Sequence, residues 1–253
     1  MNSFLGYVGG KRLLVKQILP LIPEHKTYVE AFAGAAWLLF AKEESEVEVL
    51  NDINGDLVNL YRIVKYHLEE FCRQFRWLLT ARDEYQRFLK EEPTALTDIQ
   101  RAVRFYYLQR NGFGGSVDRF NFTSSRTGRP RINLLRLEEN LSEAHLRLSR
   151  VWIENLPYQR MFEKFDSPDS FFYLDPPYWD CEDYYGKNLF DKSDWEKLKD
   201  LLSNMKGKFI MSVNDVPNIR EKFRDFNLKT VHTNYSIQAG SSKKVQELLL
   251  MNY

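Results

Sequence analysis

Residues 27–52 read TYVEAFAGAAWLLFAKEESEVEVLND, and their order decides the fold. Residues 27–32 (TYVEAF) form a short strand-like run, Ala33–Ala36 a turn of small residues, and the apolar stretch after them the start of a helix. Residues 47–51 (VEVLN) read as a second strand that ends at Asp52. Strand, tight turn, helix, strand is the βαβ unit that opens nucleotide-binding α/β domains, whose ligands sit beyond the carboxyl ends of the strands. Small residues let a nucleoside come close to the backbone, so Phe32 and Gly34 are expected at the ligand. Asp52, eighteen residues after Gly34, stands where such units hold ribose hydroxyls. The turn lacks a full GxGxxG, which argues against a nicotinamide-dependent oxidoreductase.

Working outward, Gly9-Gly10 leads into a helix predicted to set Leu13, Leu14, Ile18 and Leu19 on one face and to stop at Pro20. Residues 171–175 (FFYLD) and 208–214 (KFIMSVN) read as strands, as do two late runs near 228–237 and 245–252. The late pair, separated by GSSKK, is expected as a hairpin at the sheet edge. Ser193 with Glu196 predicts a capping box for a helix burying Leu198, Leu201, Leu202 and Met205. From about 55 to 150 the character changes: residues 57–79 and 99–110 have helical apolar spacing, and the irregular stretch NGFGGSVDRFNFTSSRTGRPRIN (111–133) follows them. The expected fold is therefore α/β: a Rossmann-like sheet domain, residues 1–54 and 151–253, split by a helical insertion over 55–150.

The net charge of +1 conceals an asymmetry. Residues 101–150 hold ten arginines and four acids, a local charge of +6, so the remainder of the chain carries −5. A basic arm on an acidic body points to nucleic acid, and arginine suits bidentate contacts to phosphate or guanine. Arg104, Arg136 and Arg147 lie in helical stretches and are expected as phosphate contacts or surface ion pairs. The four histidines (25, 67, 145 and 232) have no mutual spacing of a metal site, and no metal is expected. Cys72 and Cys181 are far apart and suit a reducing compartment. The N-terminal sequence lacks the pattern of a signal peptide, and no run approaches a membrane span, so a cytoplasmic protein is expected.

Asp175-Pro176-Pro177-Tyr178, at the end of FFYLD, carries the sharpest chemical signal. The two prolines remove two backbone donors and stiffen the turn. An exocyclic amine such as adenine N6 has two hydrogens to donate and a lone pair delocalised into its ring. The Asp175 carboxylate and the Pro176 carbonyl, as paired acceptors, favour a pyramidal nitrogen able to attack a methyl sulfonium. Tyr178 offers a flat face for a base extruded from a duplex. No covalent nucleophile is required.

Seven segments occur in the order of the Dam-type DNA adenine methyltransferases, which the chain resembles from end to end. They are FLGYVGGK (4–11), EAFAGAA (30–36), LNDIN (50–54), YLDPPY (173–178), FDKSDWEKL (190–198), FIMSVND (209–215) and KKVQELL (243–249). The resemblance implies S-adenosyl-L-methionine as methyl donor, with Tyr7, Lys11, Asp52 and Asp175 in contact with it beside Phe32 and Gly34. It implies Asp175, Pro176, Pro177 and Tyr178 as the catalytic, target-amine pocket, and 55–150 as the recognition domain for double-stranded DNA. Arg119 and Asn121 belong to a tripeptide like the family's base-reading hairpin, and Arg126 follows it; all three are expected at DNA. Two departures stand out. Ala36 occupies a place where the family often has glycine, and FTSSRTGRPRIN replaces the FNVPFG-like stretch of enzymes reading GATC. The target sequence therefore stays open, as does pairing with a restriction endonuclease. A monomer is expected. An N4-cytosine methyltransferase and a non-catalytic DNA-binding regulator remain alternatives; a cytosine-C5 enzyme is disfavoured because no Pro-Cys nucleophile is present.

Overall fold

The computed structural model describes residues 1–6, 11–112, 122, 132–181, 189–238 and 241–253, and its strands form one seven-stranded sheet. They are β1 (Thr27–Glu30), β2 (Val47–Asn51), β3 (Trp152–Glu154), β4 (Ser170–Leu174), β5 (Lys208–Asn214), β6 (Asn227–Gln238) and β7 (Ser241–Met251), in the spatial order β3-β2-β1-β4-β5-β7-β6. β7 is antiparallel to both neighbours, while β1 to β5 pair in parallel. The chain moves from β1 outward to β2 and β3, then returns to β4 on the other flank of β1. The carboxyl ends of β1 and β4 thus frame a topological switch point, the place where open α/β sheets bind ligands.

Helices cover both faces, which is why the central strands are apolar without interruption. Val29, Val49, Phe172, Leu174, Phe209 and Met211 pack with α8 (Tyr158–Phe165), α9 (Asp194–Ser203) and α10 (Pro217–Lys222). Tyr28, Leu50, Phe171, Tyr173 and Ile210 face the other layer, which includes α1 (Val15–Ile18) and α2 (Trp37–Ala41). The crossover from β2 to β3 carries α3 (Gly55–Tyr66), α4 (Leu68–Phe75), α5 (Arg82–Lys90), α6 (Asp98–Asn111) and α7 (Leu134–Leu148). Their apolar faces continue the same core: Leu57, Leu60, Tyr61, Tyr106 and Leu141 join the cluster that contains Tyr28 and Leu50. The Asn54 side chain caps α3 by accepting the Asp56 and Leu57 N–H groups at 3.0 and 3.2 Å. Among the described residues, no helix is long and apolar enough to cross a membrane.

Several local expectations need correction. The first helix is broken into two 3₁₀ turns (Lys11–Leu13 and Leu19–Leu21) around α1, with Pro20 inside the second turn rather than ending the element. Leu14 and Ile18 are buried and Leu19 is half-buried, but Leu13 is 51% exposed. Ser193 does not cap α9, because its own backbone is helical and its side chain makes no capping bond. Asp191 does so instead, accepting the Ser193 and Asp194 N–H groups at 2.6 and 3.3 Å, and Glu196 pairs with Lys222. Leu198 and Leu202 are buried by α9, with Leu201 and Met205 only half-buried. A capping box does form at Thr97 and Gln100, opening α6. The late hairpin is longer than expected: Ser241–Lys244 of GSSKK lie within β7, which is inserted between β5 and β6, leaving β6 at the edge.

The arginines of the helical stretch also behave differently. Arg104 is buried and donates to the Phe88 carbonyl at 2.7 Å. Arg147 makes a forked ion pair with buried Glu48 and donates to the Leu39 carbonyl at 3.0 Å, tying α7 to β2. These two brace the interior; Arg136 is exposed.

Candidate active site

A cleft of about 290 Å³ opens at the switch point and is lined by residues from three strand ends. Lys11, Phe32, Gly34, Asp52, Asp175 and Pro177 all contribute to its wall. Pro176 is buried and Tyr178 half-buried, and neither lines this cleft. Tyr7, Arg119, Asn121 and Arg126 lie outside the described residues.

The turn after β1 is shaped by positive φ at Gly34 (47°) and Ala36 (51°). Asp52, at the end of β2, braces it: one carboxylate oxygen accepts the Gly34 N–H at 2.9 Å, and the other accepts the Asn54 N–H at 2.9 Å. Tyr61 of α3 donates to the Gly34 carbonyl at 2.8 Å, so the first helix of the insertion buttresses the turn. Burial raises the Asp52 pKa above its ordinary value, against the lowering effect of the Asn54, Gly34 and Ile53 amides. Beside it, Phe32, Tyr158 and Phe190 pack with ring centroids 5.2 to 6.1 Å apart, an apolar wall for a planar ring.

The turn after β4 is held differently. Lys11 is buried and directs its ammonium at three oxygens: Asp175 Oδ1 at 3.0 Å, Glu247 Oε2 at 2.8 Å and the Tyr178 hydroxyl. An ammonium has three donors, so its bonding capacity is met by these contacts. Burial alone lowers the Lys11 pKa, but Asp175, Tyr178 and Glu247 overcome it and hold the amine cationic. Ser212 of β5 also donates to Asp175 Oδ1, at 3.3 Å, and exchanges a hydrogen bond of 2.9 Å with Tyr173. The Lys11 and Ser212 contacts both fall on Oδ1 of the Asp175 carboxylate. Burial pushes the Asp175 carboxyl up to about 6, with Lys11 opposing and Glu247 reinforcing the rise. Just beyond, Asn214 brackets the Trp179 backbone, accepting its N–H at 3.0 Å and donating to its carbonyl at 3.1 Å. Asp180 takes a left-handed φ of 64° as the chain turns back, with Cys181 N–H on the Tyr178 carbonyl at 2.9 Å.

A further buried acid lies behind both turns. Glu30 accepts the Tyr28 hydroxyl at 2.6 Å and the Leu39 N–H at 2.7 Å, and burial raises it to about 7. Glu30, Ser212, Asn214 and Glu247 carry no role in the sequence reading. The trace they leave is a polar residue beside an apolar run: Ser212 and Asn214 two apart on β5, Glu247 directly before Leu248–Leu250. Two histidines are structural, His25 bonding the Pro23 carbonyl and Ser45 and His145 the Val64 carbonyl, while His67 and His232 are exposed.

The sequence model of the D12 class N6 adenine-specific DNA methyltransferases matches residues 7–237. The chain is similar to the Type II methyltransferase M1.LlaDCHI of Lactococcus lactis subsp. cremoris, 28% identical, covering all of this chain and 96% of that protein. It is likewise similar to the DNA adenine methylase of Salmonella typhi, 30% identical over 99% of this chain and 95% of the relative. The Type II methyltransferase M.CviBI of Paramecium bursaria Chlorella virus NC1A is 26% identical over the full length of both.

Proposed function

The chain belongs to the D12 class of N6 adenine-specific DNA methyltransferases, and from that premise we propose that it methylates adenine in double-stranded DNA with S-adenosyl-L-methionine as donor. The observation that carries the reading is the Asp175–Tyr178 turn opening, at the switch point, beside the same cleft as Asp52. The donor set suits that group: an apolar wall at Phe32 for a purine, Asp52 for ribose hydroxyls, and carboxylates facing a cationic sulfonium. Bound there, S-adenosylmethionine supplies an electrophilic methyl group.

Asp175 keeps Oδ1 on Lys11 and Ser212, and offers Oδ2 to one hydrogen of the target amine. The Pro176 carbonyl accepts the other, so the nitrogen lone pair is turned out of the purine plane toward the methyl carbon. The amine then loses a proton, and Asp175, raised to about 6, is the nearest acceptor. A stacked base cannot reach this turn, so the adenine is flipped out of the duplex to lie against Tyr178, whose hydroxyl Lys11 fixes. Residues 55–150 act as the DNA-recognition part, with Arg119, Asn121 and Arg126 reading the site, and residues 1–54 and 151–253 as the catalytic part. The protein acts as a cytoplasmic monomer. Mass spectrometry of nucleosides from duplex DNA incubated with enzyme and donor checks the chemistry. N6-methyldeoxyadenosine is expected; N4-methyldeoxycytidine, or no methylated nucleoside, overturns the assignment.

A further inference from the structure

Glu247 is a fully buried carboxylate in β7, just before the strand's apolar run Leu248–Met251, and its register partners are Asn214 of β5 and Val231 of β6. A buried charge in mid-strand is costly unless paired, and Lys11 Nζ pairs it at 2.8 Å. The other two donors of that ammonium grip Asp175 and Tyr178, the two side chains of the β4 turn that face the target base in the proposed chemistry. Asn214, beside Glu247 in the sheet, clamps the backbone at Trp179, one residue past Tyr178. One rung of the sheet thus fixes the turn twice: Asn214 holds its main chain, and Glu247 holds its side chains by way of Lys11. β7 is hydrogen-bonded on both sides, which makes it a firm anchor.

We propose that Glu247 is a positioning residue for methyl transfer, acting through Lys11 to hold the Asp175 carboxylate and the Tyr178 ring in register with the target amine. The proposal rests on the adenine-methylation reading above. Its electrical consequence is equally direct. Lys11 is shared between the two carboxylates, so Asp175 remains a competent acceptor for an amine hydrogen. Without the Glu247 charge, Lys11 belongs to Asp175 alone, which becomes a weaker base. The other groups facing Asp175 or coupled to it are Ser212 from β5, Tyr173 from β4 and Glu30 from β1, and Tyr178 of the turn faces Lys11.

The test is steady-state kinetics of Glu247→Gln, which keeps the shape and an acceptor oxygen. Turnover should fall about 10- to 100-fold, the scale of a small misplacement at a reacting centre, with KM for donor and for DNA within about threefold of the parent. The acid limb of the kcat profile should move to lower pH, because one influence raising the Asp175 pKa is gone. Unchanged kcat and an unmoved limb in folded Glu247→Gln protein, whatever its melting temperature, overturn the proposal. Should that variant not fold, Lys11→Met and Lys11→Met/Glu247→Gln decide. Lys11→Met leaves two facing carboxylates and should drive the acid limb upward. Adding Glu247→Gln should bring the limb back down and recover turnover near pH 7; a double variant no better than Lys11→Met also overturns it. A parent enzyme that forms no N6-methyladenine marks failure of the underlying reading, separately from either outcome.

Discussion

Two aspartates end strands on opposite sides of the switch point, and they are held by opposite means. Asp52 is bound by backbone amides, Gly34 across the turn and Asn54 two residues on. Asp175 is bound by side chains, an ammonium from residue 11 and a hydroxyl from residue 212. Backbone amides fix a shape and cannot be redistributed, whereas a shared ammonium sets a charge balance that neighbouring groups can shift. The first arrangement suits a site that must fit a ligand. The second suits a site where a proton is lost and basicity matters.

The sharpest way to break this contrast is Asp175→Ala. Turnover should fall at least ~10²-fold, the scale for loss of a preorganised polar group at a reacting centre. Stability should hold, because Lys11 and Glu247 remain as a one-to-one pair. In the parent, Asp175 must be ionised to accept an amine hydrogen. Its pKa is raised to about 6, so kcat should fall as pH drops through that value and level off above it. An acid limb near pH 4, the ordinary carboxylate range, would separate Asp175 from proton transfer.

The same contrast explains what could be read from the chain. The Asp52 turn is local, since the bonds from Asp52 to the Gly34 and Asn54 amides and from Tyr61 to the Gly34 carbonyl span at most 27 residues, and the βαβ unit stands where the sequence implies. The strand-end position of Asp175 was legible for the same reason. Its partners were not: Lys11 and Glu247 are 236 residues apart, and Ser212 is 37 residues from Asp175. β3 escaped notice because a three-residue edge strand with Trp152 65% exposed has no apolar run to betray it. The arginine count was readable but burial was not, and so Arg104 and Arg147 turned out to brace the interior. The capping box forms at Thr97 and not at Ser193, because Asp191 takes the Ser193 N–H that Glu196 would accept, and Glu196 turns to Lys222.

Asp52→Ala should give a smaller loss in activity and a larger one in stability than Asp175→Ala. Affinity for S-adenosylmethionine should weaken by about 1–3 kcal/mol, the cost of unpaired polar groups in a closed pocket. The Gly34 and Asn54 amides lose their acceptor as well, so melting temperature should fall in the same variant. Calorimetric titration of the donor and a thermal melt read the two effects. Unchanged affinity with a lowered melting temperature reduces Asp52 to a brace for the turn.

Ala36→Gly should do least, although it touches one of the two features in which this chain departs from the Dam-type pattern. Ala36 is buried and sits at φ 51°, ψ 39°, just before α2. A left-handed alanine costs about 1–2 kcal/mol, which glycine relieves. Against that, glycine gives up a buried methyl group worth ~0.8 kcal/mol. It also frees the unfolded chain by about 0.4–1 kcal/mol. The opposing effects nearly cancel, so chemical denaturation should find the variant within about 1 kcal/mol of the parent. Donor affinity should be unchanged too, because Asp52 bonds the backbone of Gly34 and not of Ala36. A stability gain well above that bound would mean the turn stores strain at Ala36, and a clear loss of donor affinity would mean that its methyl group shapes the cleft.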